Sequence, residues 1–87
     1  MTSYQVQVRV TPREGILDPQ GKAVAGALRS LGFGGVDDVH VGRFITLTLA
    51  ADSPDEAHEA AVAMCRQLLA NPVTEDFKVR VGELISR

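Results

Sequence analysis

The sequence predicts an α+β fold, a ferredoxin-like βαββαβ two-layer sandwich with a four-stranded antiparallel sheet, in one domain spanning residues 1–87. Three observations predict it. Apolar and polar residues alternate in several short stretches, the period of strands with one buried face. Two intervening segments place apolar residues three and four apart, and each begins at an Asp-Pro or Ser-Pro pair. Gly42-Arg43 sits between two alternating stretches, as a tight hairpin reversal does.

The first strand is Tyr4 to Val10, with Tyr4, Val6, Val8 and Val10 on one face and Gln5, Gln7 and Arg9 on the other. Pro12 ends it, and Arg13 to Leu17 is a loop. Asp18 then offers its carboxylate to the free amides of a helix whose first position suits Pro19. Val24, Ala27, Leu28 and Leu31 form the buried stripe of that helix, and Gly32 with Gly34-Gly35 stops it. Val36 to Val41 alternates as a second strand, with His40 on its polar side, and Phe44 to Ala50 pairs with it across Gly42-Arg43. Ser53-Pro54-Asp55-Glu56 is a capping box opening a second helix. That helix runs to about Ala70 on a core stripe of Ala57, Ala61, Met64 and Leu68, and Asn71-Pro72 terminates it. Phe77, Val79 and Val81 alternate with Lys78 and Arg80 in the last strand, and Glu83 to Arg87 is expected to fray. Both helices are expected to cover the apolar face of the sheet, leaving Gln5, Gln7, Arg9, His40, Thr46, Thr48, Lys78 and Arg80 open on the other.

Composition removes several functions. Nine Lys and Arg against eleven Asp and Glu give a net charge of −2, which argues against a general nucleic-acid binder. The apolar runs are too short to cross a membrane and the N-terminus lacks the pattern of a signal peptide, so a cytoplasmic protein is expected. Cys65 is the only cysteine and falls on an apolar helix stripe, which makes it a packing residue rather than a nucleophile. His40 and His58 have no partner at metal-ligand spacing other than acids common on any surface, and neither a G-x-S-x-G turn nor a P-loop occurs. No catalytic, cofactor or metal residue is therefore expected in this chain.

What the fold does not absorb is surface. Gly21 and Gly26 each cost a helix interior ~1 kcal/mol relative to Ala, which implies close backbone approach. At Gly21 helix-to-sheet contact explains this, whereas Gly26 joins Ala23 and Ser30 on a small-residue flank that admits another chain. On the second helix, Val62, Cys65 and Leu69 extend the apolar arc to one side, which points to an oligomer or partner surface.

Leu17-Asp18-Pro19-Gln20-Gly21, Leu28 to Gly32, Val41-Gly42-Arg43 and Leu68-Leu69-Ala70-Asn71-Pro72-Val73 occur in the order seen in the PurS family, and the chain resembles that family over nearly its whole length. The resemblance implies a non-catalytic small subunit of phosphoribosylformylglycinamidine synthase in purine biosynthesis. Such a subunit is a homodimer or a dimer of dimers, joins a large synthetase subunit (PurL-like) to a glutaminase subunit (PurQ-like), and serves a complex that uses ATP, glutamine and magnesium. Candidate partner surfaces on this reading are the first-helix entry (Arg13, Asp18, Pro19, Gln20, Gly21), the flank at Gly26, the pair Val62 and Leu69, and the turn Asn71-Pro72. The stretch Arg13 to Gly21 is expected to dock the large subunit, because its Asp-Pro pair explains the helix start without requiring Gln20 or Gly21.

Two other classes share the topology. An ACT-like regulatory module binds amino acids near a Gly-containing loop after the first strand, a part that Arg13-Glu14-Gly15 fits. An RRM-like module stacks RNA bases on open-face aromatics, of which only Phe44 is present here.

Overall fold

The computed structural model describes residues 1–83, so positions 84–87 of the tail expected to fray lie outside the described residues. The elements are β1 (Thr2–Pro12), α1 (Pro19–Ser30), β2 (Arg43–Ala51), α2 (Pro54–Met64), a π-helical turn (Cys65–Leu69) that continues α2, and β3 (Glu75–Glu83). β1 is the central strand, antiparallel to both neighbours in the order β2-β1-β3. The register sets Val6 between Leu47 and Val81 and Val8 between Ile45 and Val79, so the alternating sequences of all three strands turn one apolar face the same way. On β1, flanked on both sides, Val6, Val8 and Val10 are completely buried.

The expected fourth strand is absent among the described residues: Val36 to Val41 is irregular and spends its polar groups on α1. Arg29 donates to the carbonyls of Val36 (3.1 Å) and Asp37 (2.8 Å), and the Val41 amide donates to the Asp18 carboxylate (2.9 Å). Gly42-Arg43 is consequently the entry into β2 and not a hairpin turn. A Cβ at Gly42 would fall on the Val10 carbonyl oxygen, so glycine is required where the chain rejoins the sheet. His40 belongs to this irregular segment and not to the open sheet face.

Placement of α1 is the second departure. Residues 13–42 leave β1 after Pro12 and return at Arg43, which pairs with Val10, so the whole excursion begins and ends at one end of the sheet. Among the described residues α1 makes no extended contact with any strand or with α2. Among the described residues only α2 and the turn that continues it cover the apolar face. The principal extents are 51 × 32 × 15 Å and the radius of gyration is 16.7 Å, against roughly 12 Å for a compact chain of this length. Residues 13–42 thus form an arm.

Gly21 and Ala25 are the buried positions of α1. A Cβ at Gly21 would land on the Val39 carbonyl oxygen and crowd the Asp18 carboxylate, so the close approach that this glycine permits is to the returning segment and not to the sheet. Gly21→Ala is expected to lower stability by about 1–3 kcal/mol through overpacking, read as a fall in thermal midpoint, whereas Gly26→Ala, which meets nothing within 4 Å, is expected to raise it slightly. Gly32, at φ 102°, closes α1 in the left-handed region, and the Phe33 amide returns to the Leu28 carbonyl (3.0 Å).

α2 starts at the expected Ser53 cap, whose hydroxyl accepts from the Glu56 amide (3.1 Å). It rests on the sheet through Ala57, Ala61 and Cys65, all completely buried, a row of i+4 neighbours small enough to let the helix lie close. The Ala70 amide donates to the Cys65 carbonyl (3.0 Å), an i+5 bond that inserts one residue into the turn. This rotates Leu68 outward, to 82% exposure, and brings Leu69 onto the core. Leu68 is therefore not a core residue, and Cys65 and Leu69 belong to the core instead of a surplus flank. Val62 alone of that expected flank remains half-buried outside it.

Candidate functional site

Three of the four segments singled out in the sequence, Leu17–Gly21, Val41–Arg43 and Leu68–Val73, meet where the arm joins the sheet, while Leu28–Gly32 lies at the far end of α1. Asp18 caps α1 with one carboxylate oxygen on the Gly21 amide (3.0 Å) and holds the Val41 amide with the other (2.9 Å). One side chain thereby starts the helix and closes the arm on itself. His40 stands beside it, with Nδ1 3.7 Å from Asp18 and Nε2 3.0 Å from Asp38. Pro19 and Gln20 follow at the exposed start of the helix.

The second fastening is Arg43 with Glu75. The guanidinium donates to both carboxylate oxygens (3.0 and 2.9 Å) and to the Leu69 carbonyl (2.8 Å), and the Asn71 amide donates to Glu75 Oε1 (2.7 Å). The start of β2, the end of the π-helical turn and the start of β3 are joined at this one pair. Asn71 Oδ1 also accepts from the Val73 amide (3.0 Å), so Asn71-Pro72 is a built turn that leads into β3. Arg13 closes the corner, with its amide on the Thr74 carbonyl (2.9 Å) and its guanidinium 3.3 Å from Asp76.

Between the fastenings lies a cleft of about 260 Å³, bordered by Ile16, Leu17, Asp18, Gln20, Arg43 and Glu75. Of the candidate interface residues, Asp18 and Gln20 line this cleft, while Arg13 and Pro72 line a second one of about 220 Å³ next to it. Gly21 is buried behind the first cleft, Gly26 lies further along the arm, and Val62 and Leu69 lie on the helical layer. Asp18, Gly21 and Asn71 are thus occupied in folding. Arg43 and Glu75 were not foreseen as a site: they lie 32 residues apart, and no local pattern announces their pairing.

The carboxylates here are acceptors already engaged. Amide hydrogen bonds from Gly21 and Val41 hold the Asp18 carboxyl below its ordinary value, and the Arg43 hydrogen bonds, with the Asn71 amide, do the same for Glu75. Burial pushes the Cys65 thiol up, away from thiolate chemistry. Among the described residues no three His, Cys, Asp or Glu side chains converge as a metal site. The corner is suited to holding a shape and presenting a surface. Because both carboxyls titrate lower in the folded state than in the unfolded one, their contribution is complete at neutral pH and is lost as pH falls through the depressed values. The thermal midpoint is expected to be flat near neutrality and to drop below about pH 4, with the drop blunted in Asp18→Asn and Glu75→Gln.

A second surface lies on the arm itself. Leu17 is 66% exposed, Val24 40%, Leu31 73% and Phe33 58%, which makes an apolar strip next to the buried side of α1. On the sheet, the inward residues of the β2 edge, Ile45, Leu47 and Leu49, are only half-buried, because α2 alone is too narrow to cover three strands. Sequence periodicity located the α1 stripe and missed that the chain does not cover it.

Comparison with known proteins places these features in a family. The model of the family described as PurS, phosphoribosylformylglycinamidine (FGAM) synthase, matches residues 5–83. The PurS subunit of Bacillus subtilis phosphoribosylformylglycinamidine synthase is 39% identical over 84 residues, covering 97% of this chain and 99% of its own. The corresponding subunit of Synechocystis sp. is 44% identical over 82 residues, covering 94% and 82%. Among solved structures, B. subtilis PurS superposes with a TM-score of 0.83 at 41% identity, covering 92% of this chain and 99% of its own. A chain in the structure of PurLQS from Thermotoga maritima superposes with a TM-score of 0.85 at 29% identity, covering 94% and 100%.

Proposed function

The chain belongs to the PurS family, subunits of phosphoribosylformylglycinamidine synthase in purine biosynthesis, and we propose that it acts there as a dimeric, non-catalytic assembly subunit that brings a PurL-like synthetase and a PurQ-like glutaminase together. The observation that carries the dimer is the arm. Its apolar strip has no cover within the chain, while the β2 side of the same chain's sheet lacks the second helix that this layer of residues calls for. Two copies related by a two-fold axis satisfy both needs at once, the arm of each lying over the β2 side of the other. The area supports this pairing. The chain exposes 6388 Å², against roughly 5,000 Å² for a compact monomer of its mass, and a standard interface covers about 800 Å² per partner.

On this reading the large subunit binds the ATP, the complex uses magnesium, this chain holds no cofactor, and the assembly operates in the cytoplasm. No helix among the described residues is long and apolar enough to cross a membrane. Similarity to PurS subunits over nearly the whole length does not favour the ACT-like reading.

The surface where the two neighbouring clefts meet at the base of the arm, with Gln20 on one and Arg13 on the other, is the proposed contact with the large subunit. Replacing both by Ala is expected to change stability by at most about 1 kcal/mol, since the Arg13 ion pair and the Gln20 side chain are both exposed. In a reconstituted mixture of the three subunits, glutamine-dependent amidine formation at limiting amounts of the variant is expected to fall. Full activity would make the loop purely structural. Light scattering on the wild-type chain tests the dimer: twice the chain mass at micromolar concentration supports it, and a monomer refutes it.

A further inference from the structure

The face of the sheet opposite α2 carries a charge pattern that the fold does not need. Arg9 lies between Phe44 on β2 and Lys78 on β3, and Gln7 lies between Thr46 and Arg80. Three cations therefore share two adjacent strands, with Arg9 and Lys78 directly opposed, where like charges destabilise a sheet. None of the three forms an ion pair among the described residues, and the face's one acid, Asp76, is held by Arg13 at 3.3 Å. The Arg9 guanidinium sits 5.9 Å above the Phe44 ring, which fixes a cation beside an exposed apolar surface. Together these side chains border a shallow cavity of about 350 Å³.

We propose that this face docks an acidic surface segment of another subunit of the assembly, its carboxylates meeting Arg9, Lys78 and Arg80 and an apolar side chain covering Phe44. The proposal rests on the assembly function, which requires surfaces beyond the one used for self-association. Charge complementarity supports the occupant. Three neighbouring cations raise each other's energy until an anion joins them, and the unfavourable Arg9–Lys78 pairing becomes favourable only then. A protein segment fits better than a nucleic acid: acids outnumber bases eleven to nine over the chain, so a long polyanion is repelled beyond the patch. Phe44 is also the only aromatic on the face among the described residues, too few for a run of stacked bases. The half-buried β2 residues and the arm proposed for the dimer do not use this face, so it stays available in the dimer.

The test uses the full chain with separately purified large and glutaminase subunits. Variants are the triple R9E/K78E/R80E and the milder R9Q/K78Q/R80Q, each checked for thermal midpoint and dimer mass. If the proposal holds, wild type binds one of the two subunits with an affinity that weakens about tenfold or more between low and high salt. The glutamine triple loses most of that salt dependence, and the glutamate triple binds at least about a hundredfold more weakly while remaining a folded dimer. Should the glutamate triple not fold, the glutamine triple decides. Unchanged affinity for both subunits overturns the proposal, as does dissociation of the dimer by either variant, which would make a second copy the occupant. Tight binding of single-stranded RNA by wild type that is lost in the variants overturns it in favour of a nucleic-acid surface. If wild type binds neither subunit, the assembly function itself fails, a result separate from all of these.

Discussion

Replacing Leu31 and Phe33 together by Asp is expected to turn the protein from a dimer into a monomer without unfolding it. Within one chain these side chains are 73% and 58% exposed, so the substitutions remove little internal packing. In the proposed dimer they are the outer end of the strip that the partner's β2 side would cover. Losing two buried apolar side chains and desolvating two carboxylates costs roughly 3 kcal/mol or more, over a hundredfold in dimer Kd. Light scattering across a dilution series reads the mass, and circular dichroism checks that the strands and α2 persist. A variant that stays dimeric at the wild-type Kd would place the self-association surface elsewhere.

Ala61→Leu is expected to give a large loss of folding stability. Ala57 and Ala61 are completely buried where α2 meets the sheet, and among the described residues α2 is the one helix lying on that sheet. A leucine at position 61 must push the helix off Val6 and Val8 or displace Cys65, with no second helical layer to absorb the shift. Overpacking of this kind costs about 2 kcal/mol, a large share of the stability of so small a domain. A fall of roughly 8–16 °C in the thermal midpoint is the expected reading. Ala60→Leu, on the half-buried flank of the same helix, is the control and is expected to shift it far less.

The parts of this fold that were legible in the sequence are those governed by local rules. The β1 alternation, the Asp18 and Ser53 caps and the β3 pattern all depend on neighbours within a few residues, and each matches the structure. The distribution of Arg9, Lys78 and Arg80 on the open face follows from strand parity and was equally readable. Val36 to Val41 shows why period alone is insufficient: the segment alternates like a strand, but a strand also needs an edge to pair with. Here the Asp18 carboxylate and the Arg29 guanidinium take its polar groups first. The α1 stripe has the same lesson, since Val24, Leu28 and Leu31 carry a helical apolar face whatever the chain that covers it. Leu68 and Leu69 exchanged roles because one i+5 bond rotated them, and neither propensity nor spacing marks where such a turn begins. The corner joining Arg43 to Glu75 rests on contacts between residues distant in the chain, which no pass along the sequence weighs.

The most direct test of the central claim is reconstitution of the amidine-forming reaction. The chain is titrated into fixed amounts of the large synthetase and glutaminase subunits, and product formed from formylglycinamide ribonucleotide, ATP and glutamine is followed. A non-catalytic assembly subunit gives no product or ATP hydrolysis alone, little when omitted, and a rise that saturates once it matches its partners in amount, with the Leu31 and Phe33 double variant displaced to higher concentration. Glutamine-dependent amidine formation at the full rate in its absence would contradict the account.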